Sequence, residues 1–275
     1  MKSQSAGIFV LLPVLNEVDN IRSLLDGIDG SLAGQQYTIG IVDDGSTDGT
    51  LEYLRQRMRG PDHHLHLISR KKTTRGSQRG GALHVLLLWG LQNTGHEVFV
   101  EMDGDLSHRP EELTEGIGLI QSGSCDVAIA SKYVDGGSTV NRPFGRRQVS
   151  RFCSLALRLL LDWRIRDYSN GYRFYSRAAA RLVSEHQIRY TSPIYLSEVL
   201  ALWLRHGMRT TEFPTLYIGR NEGLSKLRIR DLVKAALGSF EIAARYHITG
   251  FVARKSAVSA VAPDALNAPK ADRSS

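Results

Sequence analysis

The sequence predicts a doubly wound α/β fold, in which helices cover both faces of a mostly parallel central sheet. Between Gly7 and about Ala130, short apolar runs alternate with segments whose apolar residues have helical spacing. The runs are apolar almost throughout, as in strands that are buried on both faces. Acidic residues follow three of the runs at the strand ends. Because ligands of such sheets bind outside the carboxyl ends of strands, this edge is the expected site.

Each element follows in chain order from the spacing of its apolar residues. The first strand is expected to end at Pro13, and the helix after it repeats apolar residues between Val18 and Ile28. Pro110 is expected in the first turn of the fourth helix, where proline is favoured. The predicted strands are 7–13, 38–44, 64–69, 97–103 and 125–131, with helices at 17–28, 48–58, 79–91 and 110–121 between them.

The pattern beyond residue 131 is less regular, but it is expected to belong to the same domain, 1–255. The elements predicted in this part are two helices and one strand, at 146–161, 196–205 and 171–175. Residues 224–251 repeat apolar side chains at helical spacing, which predicts a C-terminal amphipathic helix. The Ala-, Ser- and Pro-rich end, 256–275, is expected to be disordered.

Composition narrows the class of protein. The 275 residues carry a net charge of +7 and are 42% hydrophobic, which rules out general disorder. A basic balance suggests an acidic partner such as nucleic acid, anionic lipid or a phosphorylated substrate. Two cysteines, Cys125 and Cys153, cannot form a disulfide scaffold or a four-cysteine zinc site. No apolar run reaches the length of a membrane-spanning helix, about 18 residues, and no signal peptide is evident.

Carboxylates at three strand ends suggest a metal and phosphate site. Glu17 follows the first strand, Asp43 and Asp44 end the second, and Asp103 and Asp105 end the fourth. The carboxyl ends of parallel strands meet at one edge of the sheet, so these groups are expected to converge. Two carboxylates separated by one residue can share a hard divalent cation, Mg²⁺ or Mn²⁺.

Two other motifs fail as ligand loops. The segment DDGSTDGT at 43–50 matches the first half of an EF-hand, but Arg55 stands where a bidentate Glu is required. The glycine-rich segment 76–81 lacks the Gly-Lys-Ser/Thr ending of a phosphate-binding P-loop. The first is expected to be a strand–turn–helix with Asp48 as N-cap, and the second a loop leading into a helix.

Residues 142–181 are strongly basic, with ten arginines and two acidic residues, which gives +8. A solvated helix face, a nucleic-acid surface and a site for a phosphate-bearing acceptor at a membrane are the alternatives. The aromatic–basic stacking platforms of nucleic-acid binders are not evident. Arg146 and Ser150 are four residues apart, so on a helix both face one point and can grip one phosphate.

Taken together, the motifs resemble dolichol-phosphate mannosyltransferases, members of inverting glycosyltransferase family 2 with the A-type, Rossmann-like glycosyltransferase fold. The motifs that carry the resemblance span about 8–226 and are PVLNE, IVDDGSTDGT, EMDGDLSHRP, ASKYV, DYSNGYRFY, EFP and RNEGLSK. DDGS marks only the broad family, whereas D-x-D-LSH-x-P with the late R-x₅-K is more specific. The resemblance implies a nucleotide-sugar-binding half at 7–131 and an acceptor half at 132–223.

The resemblance also implies roles for individual residues. Asp103 and Asp105 would hold the metal, with Ser107 assisting. The nucleotide sugar would be bound by Pro13, Leu15, Glu17, Ile41, Asp43, Asp103, Gly104, Asp105, Lys132, Arg220 and Lys226. Arg146 and Ser150 would receive the lipid phosphate, and the residues implied in catalysis are Asp105, Lys132 and Arg146.

Several positions depart from the family pattern. The family usually has Tyr where Leu15 stands, Ala for Gly104, and Arg for Lys132. Lys132 keeps the positive charge but lacks the bidentate fork of an arginine. Ser-Gly-Phe is usual in the family where this chain has Asn170-Gly171-Tyr172.

The expected activity is metal-dependent, inverting transfer of a hexose, mannose from GDP-mannose, to a polyprenyl or dolichyl phosphate. The attacking phosphate oxygen is already ionised near neutral pH, so no strong general base is needed. A same-class alternative uses UDP-glucose, UDP-GlcNAc or a saccharide acceptor. A sugar-nucleotide nucleotidyltransferase is the different-class alternative, but the Gly-rich activation loop expected of one is lacking. A non-catalytic basic binding protein is disfavoured, because paired carboxylates repel nucleic acid.

The expected partners are a sugar nucleotide, a polyprenyl phosphate lipid, and a membrane surface or membrane-embedded partner, with no nucleic acid. A lipid acceptor and the lack of a spanning segment predict a cytoplasmic protein, peripheral at the membrane face. The 224–251 helix is the expected membrane contact. Its apolar stripe includes Leu237, Phe240 and Ala244, and basic residues such as Arg245 lie outside the stripe, as in helices that bind at a lipid surface. The alternative is that the stripe packs on the catalytic domain.

Overall fold

A computed structural model describes residues 6–60, 64–70, 79–141, 144–191, 194–219 and 237–248. The side chains of 144, 146, 147, 149, 153, 247 and 248 lie outside this description, although those positions belong to described helices. Arg220, Lys226, the tail 256–275 and most of the predicted 224–251 helix also lie outside the described residues.

Within the described residues, seven strands form the central sheet. They are β1 Ile8–Val14, β2 Tyr37–Asp43, β3 Leu65–Ser69, β4 Val98–Glu101, β5 Val127–Ser131, β7 Arg173–Ser176 and β8 Thr210–Pro214. Their order across the sheet is β3-β2-β1-β4-β7-β5-β8. All neighbouring pairs are parallel except those of β7, which runs antiparallel to both β4 and β5. The predicted mostly parallel sheet is confirmed.

Helices lie on both faces of this sheet. They are α1 Val18–Ser31, α2 Thr50–Arg57, α3 Arg79–Asn93, α4 Leu113–Gln121, α5 Phe144–Leu160, α6 Arg177–Glu185 and α7 Tyr195–Arg205. A 3₁₀ turn at Pro110–Glu112 precedes α4, with Pro110 in its first turn. Strand residues alternate between two cores. Ile8 and Val10 pack with α1 and α4, whereas Phe9 and Leu11 pack with α3, α6 and α7.

Some elements had no signal in the apolar pattern. Helix α6 follows β7 directly, and the Ser176 hydroxyl caps it by accepting from Ala179 N at 3.3 Å. A separate two-stranded parallel sheet pairs β6, Ser138–Val140, with β9, Leu216–Ile218. Strand β7 lies at 173–176, slightly later than the predicted 171–175. Its insertion between β4 and β5 brings Asn170 and Tyr172 next to the loop that follows β4.

The described part of the C-terminal segment corrects one expectation. Residues 237–243 are α-helical and Ala244–Ile248 continue as a π-helix. Ile242 and Tyr246, each 1% exposed, pack in the core with α7. Two residues of the predicted stripe, Leu237 and Phe240, are 65% and 60% exposed. For these two residues, packing of the stripe on the domain is wrong, and most of the other stripe residues lie outside the described residues.

Candidate active site

The Asp103–Asp105 pair lies immediately after β4, at the carboxyl edge of the sheet. Asp105 Oδ1 accepts from the Ser107 backbone N–H at 3.1 Å, which closes a tight turn. Leu106, which lies between Asp105 and Ser107, adopts the left-handed conformation, with φ of 59°. That conformation costs a residue with a Cβ roughly 1–2 kcal/mol, so the surrounding contacts must hold the turn in place.

Gly104 lies against the end of β1. A Cβ built at Gly104 would be 3.0 Å from Val14 Cγ1 and 3.5 Å from Glu17 Cγ. The chain segment between the two aspartates therefore touches the segment that carries Glu17. The structure brings these predicted residues together at one edge, as the strand ends required.

The donor groups at this edge fit a hard divalent cation. Ser107 is 1% exposed, and its hydroxyl oxygen has no hydrogen-bond partner among the described residues. Two carboxylates and a buried hydroxyl that lacks a partner are oxygen ligands of the kind that Mg²⁺ and Mn²⁺ accept. The described residues hold no group of three or more His, Cys, Asp or Glu side chains arranged for a metal. Such an ion would thus take further ligands from water or substrate phosphate.

The loop after β2 holds the start of α1 in place. Asn16 N donates to Ser46 Oγ at 2.9 Å, and Glu17 N donates to Thr50 Oγ1 at 2.9 Å. Asp48 Oδ2 accepts from Val18 N at 3.0 Å. Asp48 therefore binds the first backbone N–H of α1, and its Oδ1 also accepts from Thr50 N, the first residue of α2, at 3.0 Å. The predicted N-cap position of α2 is corrected, since Gly49 occupies it with φ of 100°.

The other predicted nucleotide-binding residues differ in accessibility. Asp43 is fully buried, and its carboxylate accepts from Gly45 N and Ser46 N, each at 3.1 Å. Ile41 is 1% exposed and packs in the core beneath this edge. Pro13 is half-buried, and Leu15 is 36% exposed at the mouth of the site.

Lys132 is held by a fully buried carboxylate. Its Nζ lies 2.7 Å from Asp167 Oδ2 and 3.3 Å from Ser169 Oγ. The Ser169 hydroxyl is also 2.5 Å from that of Ser150, on α5. Burial would raise the pKa of Asp167, but the Lys132 ammonium and the Ser169 hydrogen bonds outweigh burial and lower the pKa. The structure thus joins predicted Lys132 and Ser150 through two residues that were not predicted, Asp167 and Ser169.

His108 links the two sides of the site. Its Nδ1 accepts from Asp103 N at 3.0 Å, so Nε2 carries the hydrogen and donates to Asn170 Oδ1 at 3.2 Å. Burial lowers the pKa of His108 despite the nearby carboxylates of Asp103 and Asp105. Asn170 N in turn donates to Asp167 Oδ1 at 3.0 Å. A continuous set of hydrogen bonds therefore runs from Asp103 to Lys132.

Arg79, the first residue of α3, is a further site residue that sequence reasoning missed. Its Nε lies 2.5 Å from Asp103 Oδ1, and its Nη2 donates to Gly171 O at 3.3 Å. Burial acts to lower the pKa of Arg79, but Asp103 and Glu101 outweigh it and raise the pKa. Arg79 belongs to the glycine-rich segment 76–81, whose sequence predicted only a loop leading into a helix.

A groove of about 780 Å³ opens beside Lys132. Its basic lining residues are Lys132, Arg151, Arg158 and Arg166, and none of its described lining residues is acidic. Phe152 and Leu155 of α5 add apolar surface to the same groove. Arg146 lies on α5, one turn before Ser150, and its side chain is outside the described structure. The groove combines positive charge and apolar surface, which suits an amphiphilic anion.

Comparison with solved structures defines the fold class. Glucosyl-3-phosphoglycerate synthase from Mycobacterium tuberculosis, in complex with Mn²⁺, UDP and glucosyl-3-phosphoglycerate, superposes with a TM-score of 0.62 at 20% identity. The match covers 86% of this chain and 80% of that chain. The protein therefore has the A-type glycosyltransferase fold, as predicted.

The chain belongs to glycosyl transferase family 2, whose family model matches residues 9–183. It is 32% identical over 220 residues to a polyprenol monophosphomannose synthase from Mycolicibacterium smegmatis, covering 79% of this chain and 80% of the relative. An undecaprenyl-phosphate mannosyltransferase from Micrococcus luteus is 30% identical, with 80% and 87% covered. A dolichol-phosphate mannosyltransferase from Pyrococcus furiosus is 30% identical, with 80% and 59% covered. The protein is a glycosyltransferase, as the motifs predicted.

Proposed function

We propose that this glycosyltransferase moves mannose from GDP-mannose to the phosphate of a polyprenyl lipid, with inversion at the anomeric carbon. The observation that carries the proposal is the acceptor side of the site. Buried Lys132 and Ser150 are joined through Ser169 beside a groove that is lined by arginines and apolar side chains. The relatives named for polyprenol, undecaprenyl and dolichol phosphates support the same acceptor class.

On the donor side, Asp103, Asp105 and Ser107 would hold Mg²⁺ or Mn²⁺. When bound, the ion neutralises charge on the leaving nucleoside diphosphate. Glu17 and Asp43, with Pro13 and Leu15, would bind the nucleoside, and the Gly104 backbone would lie against the diphosphate. Lys132 adds a fixed positive charge, and Arg220 and Lys226 remain candidates for further phosphate contacts. The structural neighbour with Mn²⁺ and UDP supports a divalent ion in this fold.

On the acceptor side, Arg146 and Ser150 would bind the lipid phosphate. One phosphate oxygen attacks the anomeric carbon, and the bond from that carbon to the diphosphate oxygen breaks. The new bond forms on the opposite face of the sugar, which gives inversion. The nucleophile carries no proton that must be removed, so no side chain needs to act as a strong base.

Helix α5 is the proposed membrane contact. Four large apolar side chains along α5 and the turn after it are more than half exposed: Phe152 53%, Leu155 52%, Leu159 75% and Trp163 71%. The helical spacing of Phe152, Leu155 and Leu159 places these three on one stripe, and Trp163 is exposed in the turn that follows. Exposed apolar patches of this kind mark interaction surfaces. Arg151 is exposed beside the stripe, where anionic lipid would attract it. Arg164 is exposed as well, but its guanidinium pairs with Asp162.

The same helix lines the groove and carries the stripe. Phe152 and Leu155 belong to both, so a polyprenyl chain that leaves the groove would run along the stripe toward lipid. In the part of the chain that the structure describes, no helix has the length and apolar content needed to span a bilayer. We therefore propose peripheral docking through α5, with exposed Leu237 and Phe240 as a second candidate contact.

Incubation with a panel of radiolabelled sugar nucleotides and a polyprenyl phosphate tests the proposal, followed by organic extraction. GDP-mannose with Mn²⁺ or Mg²⁺ is expected to move label into the organic phase, and EDTA is expected to prevent it. Organic label from UDP-glucose or UDP-GlcNAc alone would contradict the donor. Label that stays in water on a saccharide acceptor would contradict the lipid acceptor.

A further inference from the structure

The loop that carries the metal-site aspartates is strained and needs an external support. Leu106 has φ of 59°, the left-handed region that a leucine seldom occupies. Asp105 and Ser107 share one internal hydrogen bond. Arg79 pairs with Asp103, and Ile218 N donates to Ser107 O at 3.2 Å. Further support of the 103–109 loop comes from residues more than 60 positions later in the chain, on the segment that leads into β7.

Asn170 holds one side of this loop. Its Oδ1 accepts from His108 Nε2 at 3.2 Å, while His108 Nδ1 accepts from the Asp103 backbone N–H at 3.0 Å. Asn170 is itself fixed, since it is 2% exposed and its side-chain amide donates to Ala130 O in β5. The position of the Asp103 backbone is thus tied to the sheet through two side chains.

Tyr172, in the same segment as Asn170, also contacts the 103–109 loop. Its hydroxyl donates to Arg109 O at 2.9 Å. Its ring stacks on His108 with centroids 4.9 Å apart and an interplanar angle of 9°. Tyr172 is fully buried and is followed directly by β7, which pairs with both β4 and β5. The ring therefore cannot move without disturbing the sheet.

We infer that Asn170 and Tyr172 are positioning residues that clamp the 103–109 loop and thereby set the affinity of the Asp103–Asp105 pair for its divalent ion. The inference rests on the metal role in the proposed function. Without the clamp, the loop relaxes from the left-handed turn at Leu106, and the backbone no longer fixes the positions of the two carboxylates. Binding an ion must then reorder the loop, which weakens affinity without removing any ligand.

The test measures Mn²⁺ binding to the full chain by EPR of the free ion, with Mn²⁺ alone and with Mn²⁺ plus GDP. Asn170→Ser shortens the side chain beyond reach of His108, and Tyr172→Phe removes the hydroxyl but keeps the ring. Asn170→Ser removes the buried side-chain hydrogen bonds to His108 and Ala130, and Tyr172→Phe removes the one to Arg109. Each substitution is expected to weaken Mn²⁺ binding about fivefold. Tyr37→Phe is the matched control, because that buried hydroxyl donates to Asp29 Oδ1 at 2.8 Å at the far end of β2.

A steady-state comparison separates positioning from general damage. The Mn²⁺ concentration for half-maximal rate is expected to rise about fivefold in each variant, while the KM for polyprenyl phosphate stays at the wild-type value. If Asn170→Ser does not fold, Tyr172→Phe decides alone, since it preserves the packing. If the wild type binds Mn²⁺ and the variants bind it with the same affinity, the inference is wrong and the proposed metal role stands. No Mn²⁺ binding by the wild type overturns the proposed metal role and the inference with it.

Discussion

Asp167→Asn should destabilise the protein strongly, because it leaves the Lys132 ammonium buried without its counter-charge. The two groups are 2.7 Å apart, and their side chains are 2% and 0% exposed. Removing one partner of a buried ion pair costs about 3–5 kcal/mol of unfolding free energy. Asparagine keeps one oxygen acceptor for Ser169 N and Asn170 N, so the loss comes mainly from the missing charge.

Urea and thermal unfolding at neutral pH measure the effect. A loss of about 3 kcal/mol should lower Tm by about 6 °C or more in a domain of this size. Asp26→Asn is the control, because its ion pair with Arg57 has the carboxylate side chain 60% exposed and should contribute at most about 1 kcal/mol. If Asp167→Asn is no less stable than Asp26→Asn, the interpretation of Lys132–Asp167 as a buried charge pair is wrong.

A double variant separates stability from function. Lys132→Met with Asp167→Asn removes both charges, so no buried charge is left without its partner. The double variant should therefore be more stable than Asp167→Asn and still have little activity, since the cation that we propose to contact the substrate phosphates is gone. Recovery of activity together with stability would show that Lys132 has only a structural role.

The pH dependence of stability follows from the same pair. Burial would raise the pKa of Asp167, but Lys132 and the Ser169 hydrogen bonds lower it below its ordinary value of 3.8. A carboxyl group with a lowered pKa in the folded state stabilises fully above its unfolded value, and this stability is lost as pH falls through the folded pKa. The difference in unfolding free energy between wild type and Asp167→Asn should therefore shrink below about pH 4.

Three further predictions concern the proposed site. Asp105→Ala should lower kcat by about 10³-fold, and full activity of the wild type in EDTA would contradict the metal role behind this expectation. Arg146→Ala should raise the KM for polyprenyl phosphate far more than the KM for the sugar nucleotide. Equal increases in the two KM values would contradict the acceptor role and show that Arg146 is only a surface charge. The double variant Leu159→Glu/Trp163→Glu should abolish co-sedimentation with anionic liposomes at low salt, and unchanged sedimentation would refute docking through α5. Leu237→Glu tests the C-terminal contact in the same assay.

Local patterns predicted the first five strands and the helices between them, because each buries a continuous apolar run or stripe. The elements that were missed depend on neighbours instead. Strand β8 has the sequence TTEFP, in which Phe213 is the only buried residue, and the strand forms by pairing with β5. The antiparallel placement of β7 between β4 and β5 is a property of topology, which apolar spacing does not encode.

The same division holds in the site. Asp103 and Asp105 were predictable, since a short motif at a strand end is a local signal. The partners that hold them were not, because Asn170 reaches His108 across 62 positions and Ser169 reaches Ser150 across 19. The arginine-rich composition of 142–181 indicated an anion site, but only the fold shows which of those arginines line a groove and which, like Arg173, donate to buried carbonyls.

Helix α5 contributes to both properties that an enzyme needs in order to bind a lipid phosphate. The phosphate requires fixed positive charge and exclusion of water, and the polyprenyl chain requires an apolar path that ends in a bilayer. Ser150, 7% exposed, faces the buried Lys132 network, while Leu159, 75% exposed, faces outward from the same helix. If α5 docks on the membrane as we propose, a rigid helix with these two faces fixes the distance between bilayer and reacting sugar. Membrane docking and acceptor alignment are then one event, and a charge placed on the outer stripe should weaken both together.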